Sequence, residues 1–73
     1  MGKVYYGVQP SFTRVIRWAN EGDYDRVYDL VLEITENHYI AEEAASWCEN
    51  AAIGWVYEHE LFTIYIVEEE EEE

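Results

Sequence analysis

Apolar positions alternate with polar or small ones at the start of the chain. Over Lys3 to Val8, Val4, Tyr6 and Val8 fall on one side and Tyr5 and Gly7 on the other, the period-two signature of a strand. Gln9-Pro10 ends it, because proline brings no N–H to a ladder. The period then lengthens. Phe12, Val15, Ile16 and Ala19 recur at i, i+3, i+4 and i+7 behind Ser11, whose hydroxyl suits an N-cap, so the spacing predicts a first helix from Ser11 through Asn20 or Glu21, closed by Gly22.

Asp23 can accept from the free N–H groups of the next turn and sits at the positive end of a helix dipole. Behind it Tyr24, Val27, Leu30, Val31 and Ile34 form an apolar stripe that ends at Asn37-His38. A third helix is expected from about Ile40 to Ala52, with Ile40, Ala44, Trp47, Cys48 and Ala51 on one face and Gly54 as its stop. After Gly54 the period returns to two. Leu61 to Val67 is β-branched and aromatic enough for a strand, and Trp55 to Glu58 offers a weaker one. Glu58-His59-Glu60 between them lacks the Gly, Asn or Pro of a tight turn. The pattern predicts a small α+β fold in the order β-α-α-α-β, its terminal strands sharing a two- or three-stranded antiparallel sheet packed on helices. One sheet face is left needing cover or a partner, with Tyr5, Tyr57 and Tyr65 as its candidates.

Seventy-three residues fit one domain, and so short a chain buries only about 60% of the surface that its unfolded form exposes. A composition 49% hydrophobic with twelve aromatic rings excludes disorder for the body. The expected division is a compact domain over 1–67 and a disordered acidic tail over 68–73, where six glutamates follow one another. The single Cys48 cannot form an internal disulfide, which suits a reducing compartment. The opening residues lack the apolar core of a signal peptide, and the Met1-Gly2 start has Tyr6 where a myristoylation pattern wants Ser or Thr. These features predict a cytoplasmic location.

The segment Glu21 to Ile34, EGDYDRVYDLVLEI, resembles the first helix of a tetratricopeptide repeat in its Gly, small polar residue and Tyr opening. Nothing recurs at a period of 34 residues, so the resemblance implies an amphipathic helix of a helical pair.

Charge changes the picture most. Residues up to Asn20 hold Lys3, Arg14 and Arg17 and no acid, whereas seventeen acids face the single Arg26 from Glu21 onward, for a net charge of −13. Without its six terminal glutamates the body still carries −7. Asp25, Asp29, Glu33 and Glu36 are spaced by four, four and three, which aligns them opposite the apolar stripe of the same helix. Like charges at i,i+4 oppose helix formation. A solvated face kept acidic for solubility is one reading; a docking surface for a cationic partner is the other. Carboxylates four residues apart repeat at about 6 Å along the axis, and such a row can enter a Lys/Arg groove built for a phosphate backbone. Nucleic acid itself and anionic membranes are disfavoured as ligands, because both are bound through basic residues. Tyr24 and Tyr28 flank the row and Tyr39 follows it, and tyrosine is enriched at binding hot spots. The expected partner surface is therefore Asp25, Asp29, Glu33, Glu36, Tyr24, Tyr28 and Tyr39. The glutamate tail is expected to add charge and association rate rather than specificity.

No catalytic motif stands out. His38, Cys48 and His59 lie ten and eleven residues apart, far from zinc-ligand spacings, and Asp23, Asp25 and Asp29 lack the glycine and final glutamate of a calcium loop. No cofactor, metal or catalytic residue is assigned. Arg17 is placed to pair with Glu21 at i+4. Phage- and plasmid-encoded inhibitors of restriction and CRISPR nucleases are small, acidic and poor in motifs, and the chain resembles that class in general character. The sequence thus points to a non-enzymatic inhibitor that occupies a basic, nucleic-acid-binding surface of a partner. The alternative is a structural or regulatory homo-oligomeric module, such as a homodimer, whose acidity serves solubility only.

Overall fold

The computed structural model describes residues 2–70. Elements follow in the order β1 (Gly2–Pro10), β2 (Arg17–Asn20), α1 (Tyr24–Thr35), α2 (His38–Asn50), β3 (Val56–Glu58) and β4 (Phe62–Glu70). The four strands form one antiparallel sheet in the order β2-β1-β4-β3. The α+β class holds, but two helices and four strands replace the expected three helices and two or three strands.

The first and last strands pair along their whole length, from Gly2 opposite Glu70 to Pro10 opposite Phe62. Because side chains alternate across the pleat, this register puts Tyr6 and Val8 beside Ile66 and Ile64 on the face that meets the helices. That face and the apolar stripes of α1 and α2 make the core: Tyr6, Val8, Ala19, Val27, Leu30, Val31, Ala41, Ala44, Cys48, Phe62, Ile64 and Ile66 are all buried. Three alanine or cysteine positions on α2, Ala41, Ala44 and Cys48, let the helices approach closely. Ala41, absent from the expected face, is fully buried in it.

The helix expected over Ser11 to Asn20 is a loop followed by β2. Ser11 caps nothing; its hydroxyl donates to the Glu60 carbonyl at 2.9 Å and its N–H to the Leu61 carbonyl at 2.9 Å. Phe12 and Val15, two members of the supposed apolar stripe, are exposed. The physical reason is that the segment satisfies both periods. Thr13, Val15 and Ile16 are β-branched and poor helix formers, while Ala19 and Trp18 alternate correctly for a strand beside Tyr6 and Gly7. As a strand the segment also satisfies the outer backbone edge of β1.

Gly22 therefore turns the chain from β2 into α1, with φ +84° and a bond from Asp23 N–H to the Asn20 carbonyl at 3.0 Å. Asp23 is the N-cap as expected, accepting from the Arg26 N–H. Asn37, not foreseen, caps α2 by accepting from Tyr39 and Ile40. The second helix ends at Asn50 with Ala51 as its C-cap, before Gly54. Gly54, at φ +91°, instead occupies the third position of the turn from Ala52 to Trp55, where glycine is favoured.

Trp55 to Glu58 does contain a strand, β3. Its turn lacks Gly, Asn or Pro because His59 does their work: Nδ1 accepts from the Leu61 N–H at 3.1 Å, the His59 N–H donates to the Phe62 carbonyl, and the ring stacks on Phe62 at 4.8 Å. Glu68, Glu69 and Glu70 continue β4 opposite Val4, Lys3 and Gly2. The boundary expected after Val67 thus falls within a strand; Met1 and residues 71–73 lie outside the described residues.

Candidate functional site

On the helical side of the molecule α1 presents the expected acidic row, with one member removed from it. Asp25, Asp29 and Glu36 are exposed. Glu33 is held instead by Arg17, whose Nη1 donates to its carboxylate at 2.9 Å. The expected Arg17–Glu21 pair required a helix at residue 17; in β2 the arginine side chain points to the helix face and meets α1. Both partners of the observed pair are more than half exposed, so it contributes at most a few tenths of a kcal/mol. Its effect is to turn Glu33 toward the sheet. Arg26 is likewise turned inward, its Nε donating to the Trp18 carbonyl at 3.3 Å. Among the described residues no cation stands within ion-pair distance of Asp25, Asp29 or Glu36.

A groove of about 390 Å³ runs between the helices, lined by Tyr24, Asp25, Tyr28, Glu42, Ala45, Ser46 and Glu49. Ala45 and Ser46 are short enough to leave it open, and Glu42 and Glu49 flank them one helical face along α2. These two glutamates were not singled out in the sequence. Their signal was there, since Glu42, Ala45, Ser46 and Glu49 follow i, i+3, i+4 and i+7 as a polar-and-small stripe. The structure joins them to Asp25, so the acidic surface spans two helices.

The tyrosines of the groove are fixed from behind. Tyr24 stacks on Tyr6 with centroids 6.0 Å apart, and the Tyr28 hydroxyl lies 2.6 Å from His38 Nδ1. Tyr6, beneath, has its hydroxyl pushed up to about 12, first by burial and then by its hydrogen bond with Tyr24. Tyr39, which falls between the two expected helices, is the second residue of α2, 82% exposed, and lies outside the groove lining. Of the seven expected contact residues, Tyr24, Asp25 and Tyr28 line the groove, Asp29 and Glu36 continue the outer row of α1, and Glu33 and Tyr39 stand apart.

The other chemistry-bearing side chains have packing roles. Cys48 is buried in the core, which pushes its thiol up to about 12. Tyr57 faces the helices rather than the outer sheet face, stacked on Phe62 at 5.7 Å and against Trp47 at 5.3 Å. Its hydroxyl is raised by burial and by the Glu43 carboxylate. Tyr5 and Tyr65 do lie on the outer face. Among the described residues no group of three His, Cys, Asp or Glu is placed to hold a metal ion, and no helix is long and apolar enough to cross a membrane. Comparisons with protein-family models, curated proteins and solved structures give no match.

Proposed function

We propose that the protein is a small, non-enzymatic inhibitor that docks its two-helix acidic face onto a basic, nucleic-acid-binding surface of another protein. The observation that carries this reading is the set of carboxylates with no counter-ion within ion-pair distance among the described residues. Asp25, Asp29 and Glu36 line the outer side of α1, and Glu42 and Glu49 extend the field across the groove. Asp25 and Asp29 stand about 6 Å apart along the axis, and two converging helices place a second line of charge beside the first. This arrangement suits a cleft lined by Lys and Arg on both walls, as in an enzyme that handles nucleic acid. Tyr24 and Tyr28, held from behind, supply rigid contact area between the charges. An enzyme of bacterial defence, a restriction or CRISPR nuclease, is the kind of partner that such an acidic body would disarm.

The test is competition. Labelled duplex DNA bound to a panel of such nucleases should be displaced by the protein at low salt, and less readily as salt rises. The triple variant Asp25→Asn, Asp29→Asn, Glu36→Gln should keep its circular dichroism spectrum and lose displacement by about tenfold or more, since interface charge pairs couple by one to several kcal/mol. Displacement unchanged in that variant refutes the reading.

The homo-oligomeric module has one observation in its favour: among the described residues no element covers the outer face of the sheet, where Trp18, Val56 and Val67 remain exposed. Sedimentation velocity decides it. A dimer that dissociates when Val67 is changed to Lys supports the module; a monomer at high micromolar concentration removes it.

A further inference from the structure

The outer face of the sheet, away from both helices, carries a notch of about 270 Å³ lined by Tyr5, Trp18, Val67 and Glu69. Its shape begins with a glycine. Gly7 stands opposite Trp18 in the β1–β2 ladder, and a Cβ at position 7 would come within 2.6 Å of Trp18 Cζ3. The missing side chain is what lets the indole lie down across β1. Tyr5, two residues earlier on the same face, meets that indole edge to face, with centroids 6.5 Å apart and ring planes at 80°. Val67, opposite Tyr5, adds an apolar wall, and Glu69 follows it on the same face with a carboxylate. Trp18 is 45% exposed, so part of its surface is open to an incoming group.

Two aromatic rings near a right angle, an aliphatic wall and a carboxylate are together the chemistry that recognises an organic cation. Ring faces carry negative potential, and the carboxylate supplies the counter-charge. We propose that this notch receives the guanidinium of an arginine side chain from a partner protein. Arginine fits better than lysine: it is planar, stacks on an indole, is less strongly hydrated than an ammonium and can give a carboxylate two parallel N–H donors. Charge complementarity argues for the same occupant, because a chain at −13 concentrates cations around itself and repels both anions and its own copies. Lys3 stands opposite Glu69 in the ladder and so on the same face; the two carboxylate oxygens can accept from a guanidinium beside that ammonium. The notch shares no residue with the α1–α2 groove and is separated from it by the sheet, so it stands or falls independently of the helical face.

Two-dimensional NMR of the isotopically labelled chain, titrated with a blocked tri-arginine peptide at physiological salt, tests the assignment. The expected result is saturable shifts of the Trp18 indole N–H and of the Tyr5, Val67 and Glu69 amides, with a matched tri-lysine peptide binding at least about threefold more weakly. Trp18→Ala and Glu69→Gln should each weaken binding at the notch by about fivefold. Glu69→Gln leaves the strand backbone unchanged, so it keeps the test decisive if Trp18→Ala fails to fold. Equal binding of the two peptides, or shifts confined to Asp25, Asp29, Glu42 and Glu49, overturns the proposal. Those outcomes leave displacement of DNA by the helical face as a separate result.

Discussion

Glu36 is the residue where this fold most clearly departs from what stability alone would choose. It caps the C-terminus of α1 with φ 54° and ψ 30°, and among the described residues it is the sole non-glycine at positive φ. Its N–H still closes the helix, donating to the Leu32 carbonyl at 2.8 Å. A left-handed conformation costs an L-residue about 1–2 kcal/mol, of which glycine returns roughly 0.5–1 kcal/mol through the entropy of the unfolded chain. The net backbone gain of Glu36→Gly is thus about 0.5–1 kcal/mol. The carboxylate also sits at the negative end of the helix dipole, which costs a further 0.3–1 kcal/mol or so at low salt. Glu36→Gly should therefore stabilise the protein by about 1–2 kcal/mol. With an m-value near the low end for small domains, about 1 kcal/mol per molar urea, the urea midpoint should rise by about 1–2 M when followed by circular dichroism. Glu36→Gln separates the two terms: it removes the charge, keeps the strain, and should gain only the dipole part, fading as salt is added. A glycine variant no more stable than the glutamine variant would refute the backbone part of this reasoning. A stabilising change that also weakens partner binding is the pattern of a residue kept for function at the expense of stability.

Other outcomes follow from the packing. Phe62 is fully buried between Tyr57 and His59; its truncation to alanine should cost about 3–5 kcal/mol against a total of roughly 4–11 kcal/mol for a domain of this length, so Phe62→Ala should be largely unfolded above moderate urea. Gly7→Ala should drive the Trp18 ring off β1, seen as a large shift of its indole N–H and a loss of about 1–3 kcal/mol; an unmoved indole would contradict the close approach of 2.6 Å. The Cys48 thiol, raised from near 9 to about 12 by burial, should react with a disulfide reagent at pH 8 only as fast as the protein unfolds. Tyr6, raised from 10 to about 12, acts in the same direction. Both groups are acids held neutral by the fold, so their contribution is complete below pH 9 and is lost as the unfolded chain ionises between pH 9 and 12. Urea melts at pH 7, 9, 10 and 11 should show stability steady across the first two and falling after; stability rising above pH 9 would show the sign to be wrong.

Local periodicity was enough to define α1 with its Asp23 cap, the run of α2, the terminal strands and their shared sheet, because each is dictated by side chains a few residues apart. The acidity of the body was legible in the same way, as was the alignment of Asp25, Asp29 and Glu36. Residues 12 to 19 were not legible, since the same apolar positions serve a helix and a strand. What chose between them was distant: the unsatisfied edge of β1 and the slot over Gly7 that the Trp18 indole fills beside Ile16. From that choice came the Arg17–Glu33 pair, which takes one carboxylate out of the row, and the notch on the outer face. The groove between α1 and α2 is likewise tertiary, because Asp25 and Glu42 become neighbours only when Ala41, Ala44 and Cys48 bring the helices together on the sheet. Sequence determines which faces each element offers; packing, through contacts between residues far apart in the chain, decides which of them meet.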